Sequence, residues 1–296
     1  MFTSVIQRAL VSSCHNPELL KVMDYAVFPA GKLFRPKLVE ALALDLNKIV
    51  TQDHYHLGAA IEIHHAYTLV HDDLPSMDND LLRRGKSSTH AHFGEWKAIL
   101  AGDALLIASF GELSKIKHSR FREINKLMSW TTGAKGLIEG QFRDLEANGD
   151  MDIANVIRIH ELKTGRLIQL ATLGTYLLSD ENTLKGKIEF LRLGRQIGVS
   201  FQLLDDLSDL LDKNISDHEK AINPFIRSEE SALNELKHSH SKLSGLLIKH
   251  KLIHTNKMIH EYFKANQENL SKNFSSIEAN IAGDPSSLKK WITNFV

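Results

Sequence analysis

Apolar residues recur at helical spacing along nearly the whole chain, and the strict alternation of a half-buried strand is almost absent. Leu38, Ala41 and Leu42 share one helix face, as do Val156, Ile157 and Ile159; Leu203, Leu204, Leu207 and Leu210-Leu211 form another stripe. The six prolines fall between the periodic stretches, where a missing N–H and a fixed φ do no harm. The pattern predicts about ten helices. One ends before Pro17 and one spans Pro17–Val27. A third follows the Gly31–Pro36 turn, with Pro36 in its first turn. A fourth spans Asp53–Asp73 and stops near Pro75. The polar loop Ser76–Thr89 follows, then helices over His92–Ile116, Phe121–Leu145, Ile153–Leu178 and Leu184–Leu211. After a polar turn near Asn214–Pro224, the tail Glu229–Val296 reads as roughly two or three amphipathic helices. No linker, low-complexity tract or fixed-period repeat interrupts the chain. The expectation is an all-α fold, one domain over 1–296 built as a single bundle with several fully buried helices.

Composition narrows the function classes. Lys+Arg and Asp+Glu are both 36, so the net charge is zero, and the basic excess of a free-standing nucleic-acid binder is missing. The lone cysteine, Cys14, can form no internal disulfide, which fits a reducing cytoplasm. The N-terminus lacks the basic start and apolar core of a signal peptide. The nearest apolar run, Ala98–Phe110, is broken by Gly102-Asp103, too short and polar for membrane insertion. The 16 histidines are scattered, and most are expected to be solvated or hydrogen-bonded.

Two acidic motifs change the picture. The first is Asp72-Asp73-Leu74-Pro75-Ser76-Met77-Asp78, at the C-terminal end of an apolar helix. The second is Asp205-Asp206-Leu207-Ser208-Asp209, inside a strongly apolar segment; Asp205 and Asp209 are four apart and share a helix face. Like charges so placed repel by a few tenths of a kcal/mol, and a divalent cation between them reverses the sign. Carboxylates with open water positions suit Mg²⁺, which takes phosphate oxygens as further ligands. Basic residues accompany them: Arg83-Arg84, and upstream Gly31-Lys32-Leu33-Phe34-Arg35-Pro36. Together they suggest one site for a diphosphate with its metals and another for an anion held by Lys and Arg.

At this point the chain resembles the trans-isoprenyl diphosphate synthases, most closely the bacterial short-chain farnesyl diphosphate synthases (geranyltranstransferases). The likeness runs from about Gly31 to Pro224. It rests on Gly31-Lys32 with Arg35-Pro36, on the run His65 to Asp73, and on Asp78 with Leu82-Arg83-Arg84-Gly85. It continues through Leu100-Ala101-Gly102-Asp103-Ala104, Gly140-Gln141 with Asp144, Lys163-Thr164-Gly165, and Phe201-Gln202 before Asp205-Asp206.

The resemblance implies an isoprenoid-synthase bundle around a central cavity, a homodimer, and condensation of isopentenyl diphosphate with an allylic diphosphate. It implies about three Mg²⁺ ions, bound with the allylic diphosphate. By likeness, Asp72 and Asp78 are direct ligands with Asp73 supporting; Asp205 is a ligand of the last ion; Asp206 and Asp209 act through bound water. Arg83 resembles a contact to the allylic diphosphate. Lys32, Arg35, His65 and Arg84 resemble the isopentenyl diphosphate site. Lys163, Thr164 and Gln202 resemble the residues facing the allylic diphosphate and the nascent cation. The segment Ile61–Val70 would line the channel for the growing chain. In this family an aromatic residue five positions before the first aspartate goes with short products; Tyr67 stands there, with Thr68 beside it, which implies a farnesyl-length product.

Two positions depart from the pattern. Residue 33 is Leu where relatives often have Arg, and the stretch Leu210–Pro224 is short, with only Glu219-Lys220-Ala221-Ile222-Asn223-Pro224 resembling the usual diphosphate-binding turn. Lys220 stands in the place of that turn's lysine. Competing expectations are a class I terpene cyclase, which the intact Asp205-Asp206-x-x-Asp209 motif disfavours, and a non-catalytic synthase subunit, which a trimmed lid would suit. A carboxylate-bridged di-metal bundle wants Glu-x-x-His pairs, and neither Glu139 nor Glu161 has a histidine three residues on.

Overall fold

The computed structural model describes residues 1–147, 151–212, 215, 217–281 and 284–294, with 217–219 described by backbone alone. Sixteen α-helices are formed among the described residues. In chain order they are α1 Phe2–Ser13, α2 Pro17–Val27, α3 Phe34–Asn47, α4 Gln52–Asp72, α5 Thr89–Phe93, α6 Glu95–Leu113, α7 Phe121–Thr132 and α8 Leu137–Leu145. Then come α9 Ile153–His160, α10 Arg166–Leu177, α11 Leu184–Asp209, α12 Asp217–Ile222, α13 Pro224–Lys249, α14 Ile253–Lys272, α15 Phe274–Asn280 and α16 Ser286–Asn294. A π-helical turn, Glu161–Gly165, joins α9 to α10, and a two-residue ladder pairs β1 Leu82–Arg83 with β2 Lys86–Ser87.

Local chemistry accounts for the boundaries. Asn16 caps α2 by accepting from the amides of Glu18 and Leu19, and Pro17 fills the first helical position. Asn223 and Pro224 open α13 in the same way. Expected long helices divide at glycines. Gly94, at φ 90, separates α5 from α6, and the Gly133–Gly136 turn separates α7 from α8. The expected helix Ile153–Leu178 is divided by the π turn, which no periodicity signals. The turn predicted near Asn214 lies partly outside the described residues.

The chain packs as two compact units. The first comprises Met1–Leu127 and Leu173–Asn182. Helix α4 lies in its interior beside α1, α3 and α6, and from Leu57 to Ile63 every residue of α4 is buried, as expected of a helix enclosed on all sides. The apolar core draws Ile6 and Leu10 from α1, Met23 from α2, Ile63 and Val70 from α4, and Leu105 from α6. Several histidines are absorbed here. His54 closes the start of α4: the Thr51 amide donates to His54 Nδ1 at 3.1 Å. Burial lowers His54 to about 4. His64 meets the Ser109 hydroxyl at 3.1 Å, and burial lowers it to about 3. His56 sits 2.7 Å from buried Glu112.

The second unit comprises Met128–Thr172 and Thr183–Val296. Helices α11 and α13 form its axis. They are joined across the core by Ser200, which donates to the Ser239 hydroxyl at 3.0 Å. Phe190, Phe225 and Phe263 fill the interior.

Candidate active site

The first acidic motif lies in the first unit. Helix α4 ends at Asp72, and the chain turns back on itself. The Asp73 amide bonds Leu69 O at 3.1 Å, and the Asp78 amide bonds Asp72 O at 2.9 Å. Pro75 occupies the bend, so Asp78 comes alongside Asp72 from a loop rather than from a helix face. Asp72 is half-buried and Asp78 exposed, whereas Asp73 is buried. The Asp73 carboxylate pairs with the Arg83 guanidinium, which also reaches Asp80 Oδ2 at 2.7 Å. Burial raises the Asp73 carboxyl above its ordinary range despite Arg83. Arg83 itself is raised, because Asp73, Asp80 and Asp72 outweigh its desolvation.

The basic residues gather in the same unit. Between β1 and β2, Arg84 and Gly85 stand at φ 54 and φ 77, the left-handed pair of a two-residue type I′ turn. Gly85 adopts this freely; Arg84 is held there. The Arg84 guanidinium lies over Gly31, 3.0 Å from where a Cβ would stand, so a side chain there would push the guanidinium aside by a few tenths of an ångström. His65 is pushed well below the ordinary imidazole value by burial and by the charges of Arg35, Arg84 and Arg83. Lys32 is exposed and Arg35 half-buried, on either side of the α3 start at Phe34. Leu33, the position lacking the usual arginine, caps α3 in the left-handed region at φ 52.

Tyr67 is buried on α4, its ring edge-on to His64 at 4.6 Å and to His71 at 5.5 Å. Burial, with Asp72 and Asp103, raises its phenol. Thr68 is buried and donates to His65 O at 2.8 Å.

The second acidic motif closes α11 in the second unit. Asp205 and Asp209 are exposed and Asp206 is buried, so the helix turns the i, i+4 pair outward and the middle carboxylate inward. Asp206 Oδ1 accepts from Gln202 Nε2 at 3.1 Å, and His160 Nε2 lies 3.5 Å from its other oxygen. Gln202 Oε1 accepts from the Thr164 hydroxyl at 2.7 Å, and Lys163 Nζ pairs with Asp144 at 2.6 Å. Lys163 and Thr164 belong to the π turn, a deformation common at functional sites because it re-aims successive side chains. The turn fits closely against α11 because Gly165 meets Gly198: a Cβ at 198 would stand 2.5 Å from Gly165 Cα. Lys220 is exposed on the short α12. The chain just before it at 213, 214 and 216, and the Glu219 side chain, lie outside the described residues.

The structure therefore assembles the predicted residues into two groups. Asp72, Asp73, Asp78, Lys32, Arg35, His65, Tyr67, Thr68, Arg83 and Arg84 belong to the first unit, and Lys163, Thr164, Gln202, Asp205, Asp206, Asp209 and Lys220 to the second. Sequence reasoning passed over several residues. Glu62 is a buried carboxyl raised by desolvation against the opposing charges of Arg35 and Arg84. His160, lowered to about 4 by burial, stands beside Asp206. Asn223 donates to Asp206 O at 2.9 Å. A buried polar residue one turn from a motif was the available signal for Glu62; nothing local marks His160 or Asn223. Among the described residues no three acidic or histidine side chains converge tightly enough to chelate an ion by themselves. The donors are nonetheless the carboxylate oxygens that Mg²⁺ takes when phosphate completes its shell.

Known proteins resemble this chain in sequence and in fold. The polyprenyl synthetase family profile matches residues 16–223. The farnesyl diphosphate synthase of Bacillus subtilis is 40% identical over 202 residues, which span 65% of this chain and 66% of that protein, just under two thirds of its length. The crystal structure of a geranyltransferase from Legionella pneumophila superposes with a TM-score of 0.75 at 28% identity, covering 88% of this chain and 93% of that one. A Helicobacter pylori geranyltransferase, solved with magnesium and isoprenyl diphosphate, gives 0.71 at 28% identity, covering 92% and 96%. This chain belongs to the polyprenyl synthetase family.

Proposed function

We propose that the whole chain, 1–296, works as one polyprenyl synthetase domain. It condenses isopentenyl diphosphate with dimethylallyl and then geranyl diphosphate, giving farnesyl diphosphate and releasing diphosphate. The observation that carries this reading is the meeting, in one unit, of half-buried Asp72 and exposed Asp78 with three arginines whose charges act on His65. An acidic site for a metal-borne diphosphate thus stands beside a basic site for a second one.

The residues fit magnesium: Asp72, Asp78 and Asp205 would hold it, with Asp73, Asp206 and Asp209 in support, and about three ions in all. When bound, magnesium supplies Lewis-acid stabilisation of charge on the departing diphosphate. Arg83 and Lys163 add fixed positive charge for the allylic diphosphate, and Lys220 a further one. Lys32, Arg35, Arg84 and neutral His65 hold isopentenyl diphosphate, whose double bond attacks the allylic cation. Thr164 and Gln202, bonded to each other at 2.7 Å, offer dipoles to that cation without a nucleophile to trap it. The released diphosphate can accept the proton lost afterwards, so no side-chain base is required. Tyr67 and Thr68 close the channel for the growing chain.

No helix among the described residues is long and apolar enough to cross a membrane, and a cytoplasmic homodimer fits the reading. Trp96, Ile99, Leu100 and Ile107 leave an exposed apolar face on α6 suited to a second copy. Incubation with Mg²⁺, isopentenyl diphosphate and geranyl diphosphate, read by mass, is expected to yield farnesyl diphosphate and to lose the product on chelation. A cyclic hydrocarbon, or no product, would overturn the reading.

A further inference from the structure

Lys86 follows the Arg84-Gly85 turn and makes contacts out of proportion to a surface lysine. Its ammonium donates to Tyr25 O at 2.5 Å and to Phe28 O at 2.7 Å, and it stands 3.8 Å from the centre of the Tyr25 ring. The Tyr25 hydroxyl returns a bond to Ser87 O at 2.8 Å. The Tyr25 ring is itself fixed, stacked on His92 at 4.7 Å and edge-on to Phe93 at 5.1 Å. The last turn of α2 and the chain just after it are thus sewn to the hairpin through the Lys86 ammonium and the Tyr25 hydroxyl.

The hairpin needs such an anchor. A ladder with two residues in each strand has no stability of its own in water, and Arg84 sits at its tip in a backbone region that non-glycine residues avoid. Phe28, which Lys86 grips, precedes by three residues the Gly31 on which the Arg84 guanidinium rests. The same short segment leads on to Lys32 and Arg35. Lys86 therefore ties together the two stretches that carry the arginines whose charges act on His65. Arg84 repels it: the lysine is lowered by burial and by that neighbouring charge, with Asp24 opposing. A cation held against a like charge is held by its acceptors, here two carbonyls and an aromatic face.

We propose that Lys86 is a positioning residue for isopentenyl diphosphate: by fastening the hairpin to Tyr25 and Phe28 it sets where Arg84 presents its guanidinium. This rests on the assignment of Arg84 to the isopentenyl diphosphate site. Lys86 touches no reacting atom and acts through Arg84, so its loss shows in one substrate's KM and disappears when Arg84 is already gone.

The test is a two-residue cycle. Lys86→Met keeps the stem over Tyr25 and removes the donors. It is expected to raise KM for isopentenyl diphosphate about tenfold, with kcat and KM for geranyl diphosphate changed less than about twofold. On an Arg84→Ala background the same change should add less than about twofold. An unchanged KM in Lys86→Met, an equal rise for both substrates, or a full tenfold effect persisting without Arg84 overturns the proposal. Arg84→Ala alone separates the two levels. If it leaves KM for isopentenyl diphosphate unchanged, the site assignment fails and takes this proposal with it. If it raises KM where Lys86→Met does not, only the role of Lys86 fails. Should Lys86→Met not fold, Tyr25→Phe carries the question: losing the bond to Ser87 should raise the same KM about threefold, and no change overturns the proposal.

Discussion

Tyr67 stands five positions before Asp72, more than one helical turn below the acidic loop, with its ring packed between His64 and His71. Tyr67→Ala opens room for further isoprene units and is expected to give products longer than farnesyl diphosphate by chromatography and mass; unchanged length would sink the idea. The cavity should also cost roughly 3 kcal/mol of stability, so Tyr67→Leu, with a smaller opening, makes a useful intermediate. The aspartates of the second motif divide by exposure. Asp205 is exposed and Asp206 buried against Gln202 and His160. Asp205→Asn should slow turnover on the order of 100-fold and move the melting temperature less than Asp206→Asn does, since its carboxylate is exposed. Asp206→Asn should lower stability by roughly 1–3 kcal/mol as a buried partner is lost. Equal melting temperatures for the two variants would contradict this division. The sequence spacing already grouped Asp205 with Asp209, because a helix repeats faces every three to four residues. It did not reveal that His160 faces Asp206 from inside at 3.5 Å, an approach across 46 positions of chain that no local pattern encodes.

At the scale of elements, the π turn at Glu161–Gly165 is the least regular piece and bears Lys163 and Thr164. It is seated on α11 through the Gly165–Gly198 contact. Gly198→Ala puts a methyl against backbone that cannot rotate away. The expected cost is about 1–3 kcal/mol, with a fall in kcat as the Thr164–Gln202 bond is displaced. Thermal melts and single-turnover rates check it; a variant as stable and active as the parent would show that the contact has slack. The helices themselves were legible wherever proline, asparagine and apolar period agreed: α2 spans the predicted Pro17–Val27, and α4 differs from its prediction by one residue at each end. Boundaries made by tertiary contact were not. The π turn carries an ordinary helical pattern, and its shape comes from the backbones packed around Gly165. The β1–β2 hairpin is too short for any alternation and read as polar loop. Its turn residues, Arg84-Gly85, were visible as a motif but not as the type I′ geometry that presents the arginine.

Across the molecule, the interior of α4 ties stability to pH through groups remote from the acidic motifs. His54 and His64 are buried and neutral, lowered to about 4 and about 3 by desolvation, and His240 in the second unit is shifted the same way by burial. In the unfolded chain these rings titrate near the ordinary value of about 6.5. Between that value and the folded ones the unfolded state binds more protons, so stability must fall as pH falls. Above pH 7 the effect is absent. By pH 5.5 His54 and His64 together should remove roughly 3 kcal/mol, at most about 1.4 kcal/mol per group per pH unit. Urea midpoints at pH 7.5 and 5.5 measure the drop. Glu62 and Asp73 are carboxyls raised by burial; they bind protons more readily when folded and so act in the opposite sense, towards greater stability in acid. The comparison that isolates the histidines is therefore His64→Leu. It keeps an apolar volume on α4 and removes one titrating ring, and should flatten the slope between the two pH values by about one proton. A slope identical to the parent's would mean that His64 takes up its proton in the folded state, which its enclosed place against Ser109 and Tyr67 forbids.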